Sequence, residues 1–226
     1  MSPRRWIVFG GTFDPPHRAH VEWPRRAAEA LGAERVLYVP ARINPLKQQT
    51  PPASPADRLA MLRLAIAGDA RSEVRTIELD RDGPSYTIDT LRAFAEEARV
   101  AEPPAELVLL VGADAALGFP KWRDPQAIAS LAKVAVMLRP PFDELAFRRA
   151  YEEAWRAVDA SPAIEPRWVL DLGADLASST AARREGTDEH LPDAVAAYVR
   201  EHRLYGRGSP DPAETQRRTP PDRTAT

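Results

Sequence analysis

Near the start of the chain an apolar run, Trp6-Ile7-Val8-Phe9, gives way to Gly10-Gly11-Thr12-Phe13-Asp14-Pro15-Pro16-His17-Arg18-Ala19-His20. A strand that ends in glycines lets a ligand approach the backbone, because no Cβ stands in the way. A helix opening just beyond presents unpaired N–H groups and the positive end of its dipole, which suits phosphate. His17 and His20 are three residues apart, so in the first helical turn they share a face and can point at one anion. Two imidazoles beside several phosphates are expected to be partly protonated and to stabilise charge on the oxygens. A glycine pair or an H-x-x-H spacing alone also describes an ordinary turn with surface histidines. Here two of the chain's four histidines fall within one turn of the glycines.

A second run, Asp175-Leu176-Ala177-Ser178-Ser179-Thr180-Ala181-Ala182-Arg183, follows the apolar segment Arg167–Leu172. Ser178 or Ser179 can cap a helix starting there, giving another ring of N–H donors. Arg183, about one turn later, is a bidentate phosphate donor. An ordinary helix start accounts for the same residues.

GGTFDPPHRAH resembles the G-G-T-F-D-P-x-H-x-G-H signature of the HxGH nucleotidyltransferase superfamily, in its bacterial nicotinate-nucleotide adenylyltransferase branch. Ala19 stands where that family has glycine. Asp175–Arg183 resembles the family's I-S-S-T-x-I-R, with Ala177 and Ala182 in place of isoleucines and Ser179, Thr180 and Arg183 matching. SPADRLAMLRLAI (54–66), ELDRDGPSYTIDTL (78–91), GAD followed by FPKW (112–122) and the C-terminal LPDAVAAYVREHRLY (191–205) are similar to its other blocks. The resemblance implies transfer of the adenylyl group of ATP to nicotinate mononucleotide, giving deamido-NAD (nicotinate adenine dinucleotide) and pyrophosphate. It assigns Gly10, Gly11, Thr12, Phe13, His17, His20, Lys47, Ser179, Thr180 and Arg183 to ATP, with His20 and His17 catalytic. Thr87, Asp114, Trp122 and Arg123 go to nicotinate mononucleotide, Trp122 stacking on the pyridine and the backbone N–H groups of Trp122 and Arg123 facing its carboxylate. On residue type alone, Trp122 could be core, Thr87 a helix N-cap and Lys47 a solvated lysine. The family pattern P-N-x-x-P-P-H-K reads P-A-R-I-N-P-L-K from Pro40 to Lys47. Its asparagine and histidine are absent, Arg42 and Leu46 standing in that loop; Arg42 could substitute for the lost nucleotide contact.

Mg²⁺ is expected to ride on the ATP phosphates, since it keeps several waters and needs no full protein cage. Two other readings remain open: a different nucleotidyl acceptor, such as nicotinamide mononucleotide or phosphopantetheine, or a nucleotide-sensing protein without turnover.

These residues need a scaffold. Apolar runs at Trp6–Gly10, Arg35–Pro40, Val74–Leu79, Leu107–Gly112, Val134–Leu138 and Trp168–Leu172 read as strands, several continuously apolar as in sheets covered on both faces. Helical patterns occupy 18–32, 55–68, 86–101, 124–132, 144–158 and 192–203. The alternation predicts a doubly wound, Rossmann-like parallel α/β sheet in a single domain over 1–206. The proline-rich 41–55 stretch reads as a binding loop or lid, and 207–226 as a disordered polar tail. With 226 residues, 44% hydrophobic, 28% charged and a net charge of −2, nothing draws in nucleic acid or an anionic membrane. The absence of cysteine excludes disulfides, thiolate metal sites and cysteine nucleophiles. The N-terminal apolar run is too short for a signal peptide or a span, so a cytoplasmic location is expected. Nothing in the sequence sets an oligomeric state.

Overall fold

The structure, a computed structural model, describes residues 3–45, 52–138, 140–158, 164–172 and 188–206. Six strands alternate with helices: β1 (Arg4–Gly11), α1 (Arg18–Leu31), β2 (Arg35–Pro40), α2 (Pro55–Ile66), β3 (Ser72–Val74), α3 (Thr87–Val100), β4 (Ala105–Gly112), α4 (Ala113–Leu117), α5 (Pro125–Leu131), β5 (Lys133–Leu138), α6 (Glu144–Arg156), β6 (Pro166–Asp171) and α7 (Asp193–Glu201). Short 3₁₀ turns occupy Phe119–Lys121 and Leu204–Gly206. The strands form one sheet in the order β3-β2-β1-β4-β5-β6, every pair parallel. This is the doubly wound arrangement the sequence predicts. Order reverses between β1 and β4, and ligands in such sheets bind outside the carboxyl ends of the strands at that switch point.

Alternate residues of each strand feed two separate cores, because successive side chains point to opposite faces. Trp6, Val8, Leu37, Val39, Leu107, Leu109 and Val111 pack with Ile88, Leu91 and Phe94 of α3 and Phe147 and Trp155 of α6. Ile7, Phe9, Val36, Tyr38, Val108 and Leu110 meet Ala19, Trp23, Ala27 and Leu31 of α1 and Leu62 and Ile66 of α2. A third, smaller cluster joins Met61 of α2 to Val195, Ala196 and Val199 of α7.

The predicted strand Val74–Leu79 is a correction. β3 covers only Ser72–Val74, and the chain leaves the sheet by a turn in which Leu79 and Asp80 N–H groups bond the Thr76 carbonyl at 2.7 and 3.0 Å. Val74 already pairs with Tyr38, and two residues on the partner strand ends at Pro40, which has no N–H to give. The predicted Ser178–Ser179 helix start and the 207–226 tail lie outside the described residues.

Candidate active site

The switch-point crevice holds a cavity of about 750 Å³, floored by Val8–Gly11 of β1, Leu109, Val111 and Gly112 of β4, and Val39 of β2. Gly10, Gly11, Thr87, Asp114, Trp122 and Arg123 line it, so the structure brings together six of the residues picked from sequence.

The two glycines serve different ends. A Cβ on Gly10 would meet nothing nearer than the Val39 carbonyl oxygen, at 4.0 Å, leaving an open face for a ligand. A Cβ on Gly11 would strike the Phe13 ring at 2.9 Å. Gly11 is therefore required by its own turn, which folds Phe13 back at φ 51°. The Phe13 side chain is packing, buried beside Phe9, Tyr38 and His20 with centroids 5.8, 6.1 and 5.1 Å away. Only the backbone of Phe13 is left for the ATP contact expected of it.

His17 is the N-cap of α1, and its backbone N–H bonds Nδ1 of His20 at 3.2 Å, as in a capping box. The two rings stack at 3.7 Å. An accepting Nδ1 must be unprotonated, so the proton of the His20 ring sits on Nε2. His20 is thus an oriented ring whose Nε2 is left to face a ligand. Neither histidine lines the cavity; His20 abuts its Phe9 wall at 6.2 Å. The buried Ala19 methyl fits the α1–sheet interface that the family's glycine would leave emptier.

The turn is pinned from below by a residue sequence reasoning missed. Arg58, 1% exposed, donates from Nη1 to the carbonyls of Thr12 at 2.7 Å and Ala41 at 2.8 Å. Burial weakens the hold of this guanidinium on its proton, and the nearby Asp14 carboxylate restores part of it. Asp14 accepts from Tyr205 Oη at 2.6 Å and Ala53 N–H at 3.3 Å. A signal did exist: Arg58, Met61, Leu62 and Ile66 form the buried stripe of α2, and a lone arginine on that stripe needs internal partners.

At the other end of the cavity Thr87 opens α3, whose N-cap is Tyr86 and not Thr87. Trp122 packs edge-on to Phe119 at 4.7 Å, and its Nε1 is buried without a partner among the described residues. Its backbone N–H, one of the two expected to face a pyridine carboxylate, donates here to the Phe119 carbonyl at 2.9 Å. Arg123 lies over the Tyr86 ring at 4.8 Å with Asp89 3.8 Å away. Arg42 turns from the cavity to the 79–82 segment, and Ala41, Asn44 and Pro45 are the loop residues that line it. Laid residue for residue, the family's asparagine falls at Ala41. Lys47, Ser179, Thr180 and Arg183 lie outside the described residues. Among the described residues no three His, Asp or Glu side chains gather as a metal site, and no helix is long and apolar enough to cross a membrane.

Residues 8–185 match the Cytidylyltransferase-like family. A chain named "Probable nicotinate-nucleotide adenylyltransferase" from Chromobacterium violaceum is 39% identical over 208 residues, covering 88% of this chain and 97% of the relative. Another of that name, from a Roseiflexus species, is 36% identical over 211 residues, covering 91% and 100%. The chain belongs to the nicotinate-nucleotide adenylyltransferase family. The fold is also that of Plasmodium falciparum nicotinic acid mononucleotide adenylyltransferase complexed with NaAD, at a TM-score of 0.65 and 15% identity over 90% of this chain and 98% of that one. Within this family the SYT, GAD and FPKW blocks converge here on one cavity, lined by Ser85–Thr87, Gly112, Asp114 and Lys121–Trp122.

Glu78, also in the cavity wall, is buried and accepts from Thr90 Oγ1 at 2.7 Å. Burial raises its carboxyl pKa, with the Thr90 and Ser85 hydrogen bonds opposing. A carboxyl whose pKa is higher folded than unfolded favours the fold below its unfolded pKa, and that support is lost as pH rises through the folded value. Glu78→Gln should therefore melt higher than the parent at neutral pH, with the gap closing as pH falls through the carboxylate range. A gap independent of pH would contradict this.

Proposed function

We infer that this chain transfers the adenylyl group of ATP to nicotinate mononucleotide, forming deamido-NAD and pyrophosphate. The observation that carries the reading is the switch-point cavity. It runs from the open glycine end of β1, whose Phe9 wall His20 abuts, to an aromatic, cation-bearing wall at the other side, in a family whose relatives are named for this reaction.

The chemistry asks little of acid–base groups. A phosphomonoester has a second pKa near 6 and is largely dianionic at neutral pH, so it needs no general base. One of its oxygens forms a bond to the α-phosphorus of ATP, the bond to the bridging oxygen breaks, and pyrophosphate departs with that electron pair. The work left to the protein is alignment and stabilisation of spread charge. His20 Nε2–H is the proposed donor to the α-phosphate oxygens. His17, Lys47, Ser179, Thr180 and Arg183 are proposed for the triphosphate. Thr87, Asp114, Trp122 and Arg123 are proposed for the acceptor. Magnesium bound with ATP would supply neutralising charge on the phosphates. The cytoplasm, where ATP is abundant, is the compartment this chemistry fits.

His20→Ala should lower kcat by about 10²–10³, the usual worth of one preorganised donor, while moving the KM for ATP far less. A variant keeping more than half of the parent kcat would remove His20 from the catalytic role. Acceptor choice gives a second test. With the Trp122 N–H occupied, discrimination between carboxylate and amide rests on the Arg123 N–H and guanidinium. One hydrogen bond to a charged acceptor contributes about 1.5–3 kcal/mol, so nicotinate mononucleotide should exceed nicotinamide mononucleotide in kcat/KM by about 10–150-fold. Equal values would sink the nicotinate assignment while leaving adenylyl transfer standing.

A further inference from the structure

The loop after β2 and the segment between β3 and α3 face each other across the acceptor end of the cavity. Asn44 and Pro45 line one side, and Glu78, Ser85, Tyr86, Thr87 and Thr90 the other. Neither side is a regular element there, so their separation depends on the bonds between them.

Those bonds converge on Arg42 and Ser85. The Arg42 backbone N–H donates to Ser85 Oγ at 3.0 Å, and the Ser85 N–H returns to the Ile43 carbonyl at 2.8 Å. The Arg42 guanidinium reaches across the same gap, donating from Nη1 to the carbonyls of Leu79 at 3.1 Å and Arg81 at 3.3 Å, with Asp82 3.3 Å from Nη2. Behind this, Arg81 Nη2 donates to Thr90 Oγ1 at 2.8 Å, and Thr90 to Glu78 at 2.7 Å. The Asp82 carboxylate is fully exposed, so that ion pair is worth little, and the two carbonyl bonds are the part that fixes geometry.

We propose that Arg42 is a positioning residue for the acceptor nucleotide: its guanidinium clasps the 79–82 turn to the loop after β2 and sets the acceptor wall before substrate arrives. The guanidinium bonds no lining residue itself; the turn it holds lies between Glu78 and Ser85–Thr87, which line the cavity. A wall ordered in advance spares the acceptor the entropy of ordering it on binding. Cutting the clasp should therefore weaken the acceptor's apparent affinity without altering the step at phosphorus. This rests on the acceptor occupying that end of the cavity.

The test is steady-state kinetics of Arg42→Ala, Arg42→Lys and Asp82→Ala with ATP and nicotinate mononucleotide, each beside a melting curve, with Trp122→Ala in parallel. Arg42→Ala should raise the acceptor KM about tenfold and leave kcat and the ATP KM within twofold. Arg42→Lys should recover only part of the loss, because an ammonium lacks the planar fork. Asp82→Ala should stay within twofold of the parent. An acceptor KM unchanged in Arg42→Ala overturns the clasp, as does a rise in both KM values together with a large loss of Tm. An Asp82→Ala effect as large as that of Arg42→Ala also overturns it, placing the action in the ion pair. If Arg42→Ala has no effect, Trp122→Ala says which idea failed: a raised acceptor KM there leaves the acceptor site standing, and an unchanged one removes it as well.

Discussion

Where the β1–β2 ladder ends, at the Ala41 N–H bond to the Gly11 carbonyl of 2.8 Å, one buried guanidinium bridges the two exits, holding the Thr12 carbonyl on one side and the Ala41 carbonyl on the other. A buried arginine without partners would be strongly destabilising. Arg58 is tolerated because it satisfies two carbonyls and lies near the Asp14 carboxylate. Asp14 is in turn held by Tyr205, from the last described turn of the chain. One small polar network thus gathers the start of α2, the turn after β1 and the segment after α7. The mouth of the crevice, where two nucleotides must meet in line, is framed by these contacts.

From that frame the site divides into two kinds of residue. Gly10 and His20 present open backbone and an oriented N–H, and their neighbours make this possible. Gly11 yields its side-chain space to Phe13, and His17 donates the N–H that fixes the His20 ring. At the acceptor end the pattern repeats with other chemistry. Thr87, Trp122 and Arg123 line the cavity, Ser85 and Glu78 both line it and bond the segments that carry them, and Arg42 holds those segments from outside the lining. Each surface residue stands on a hydrogen-bonded layer behind it, and the precision that positioning demands comes from that layer.

Much of this was legible in the amino-acid order. Continuous apolar strands alternating with amphipathic helices gave the doubly wound sheet, and the glycine turn placed the site at the end of β1. What was not legible has physical reasons. β3 stops early because its partner strand ends in a proline, a tertiary fact absent from the local pattern of Val74–Leu79. The N–H of Trp122 is consumed by a 3₁₀ turn that spans only three residues, Phe119–Lys121, too short to leave a periodicity. Arg42 could be read as a nucleotide ligand because residue type says nothing of direction; its long side chain reaches the neighbouring turn instead. Arg58 is different. Its position on an apolar stripe was visible and went unused.

The central claim is that the two ends of the cavity hold two nucleotides for direct attack of one phosphate on another. Phosphorus NMR of the full chain with ATP, magnesium and nicotinate mononucleotide tests it most directly. The account predicts pyrophosphate and a pyrophosphate-linked dinucleotide growing in equal amounts, with neither formed when the mononucleotide is left out. Release of ADP and inorganic phosphate, or of AMP without dinucleotide, would contradict it.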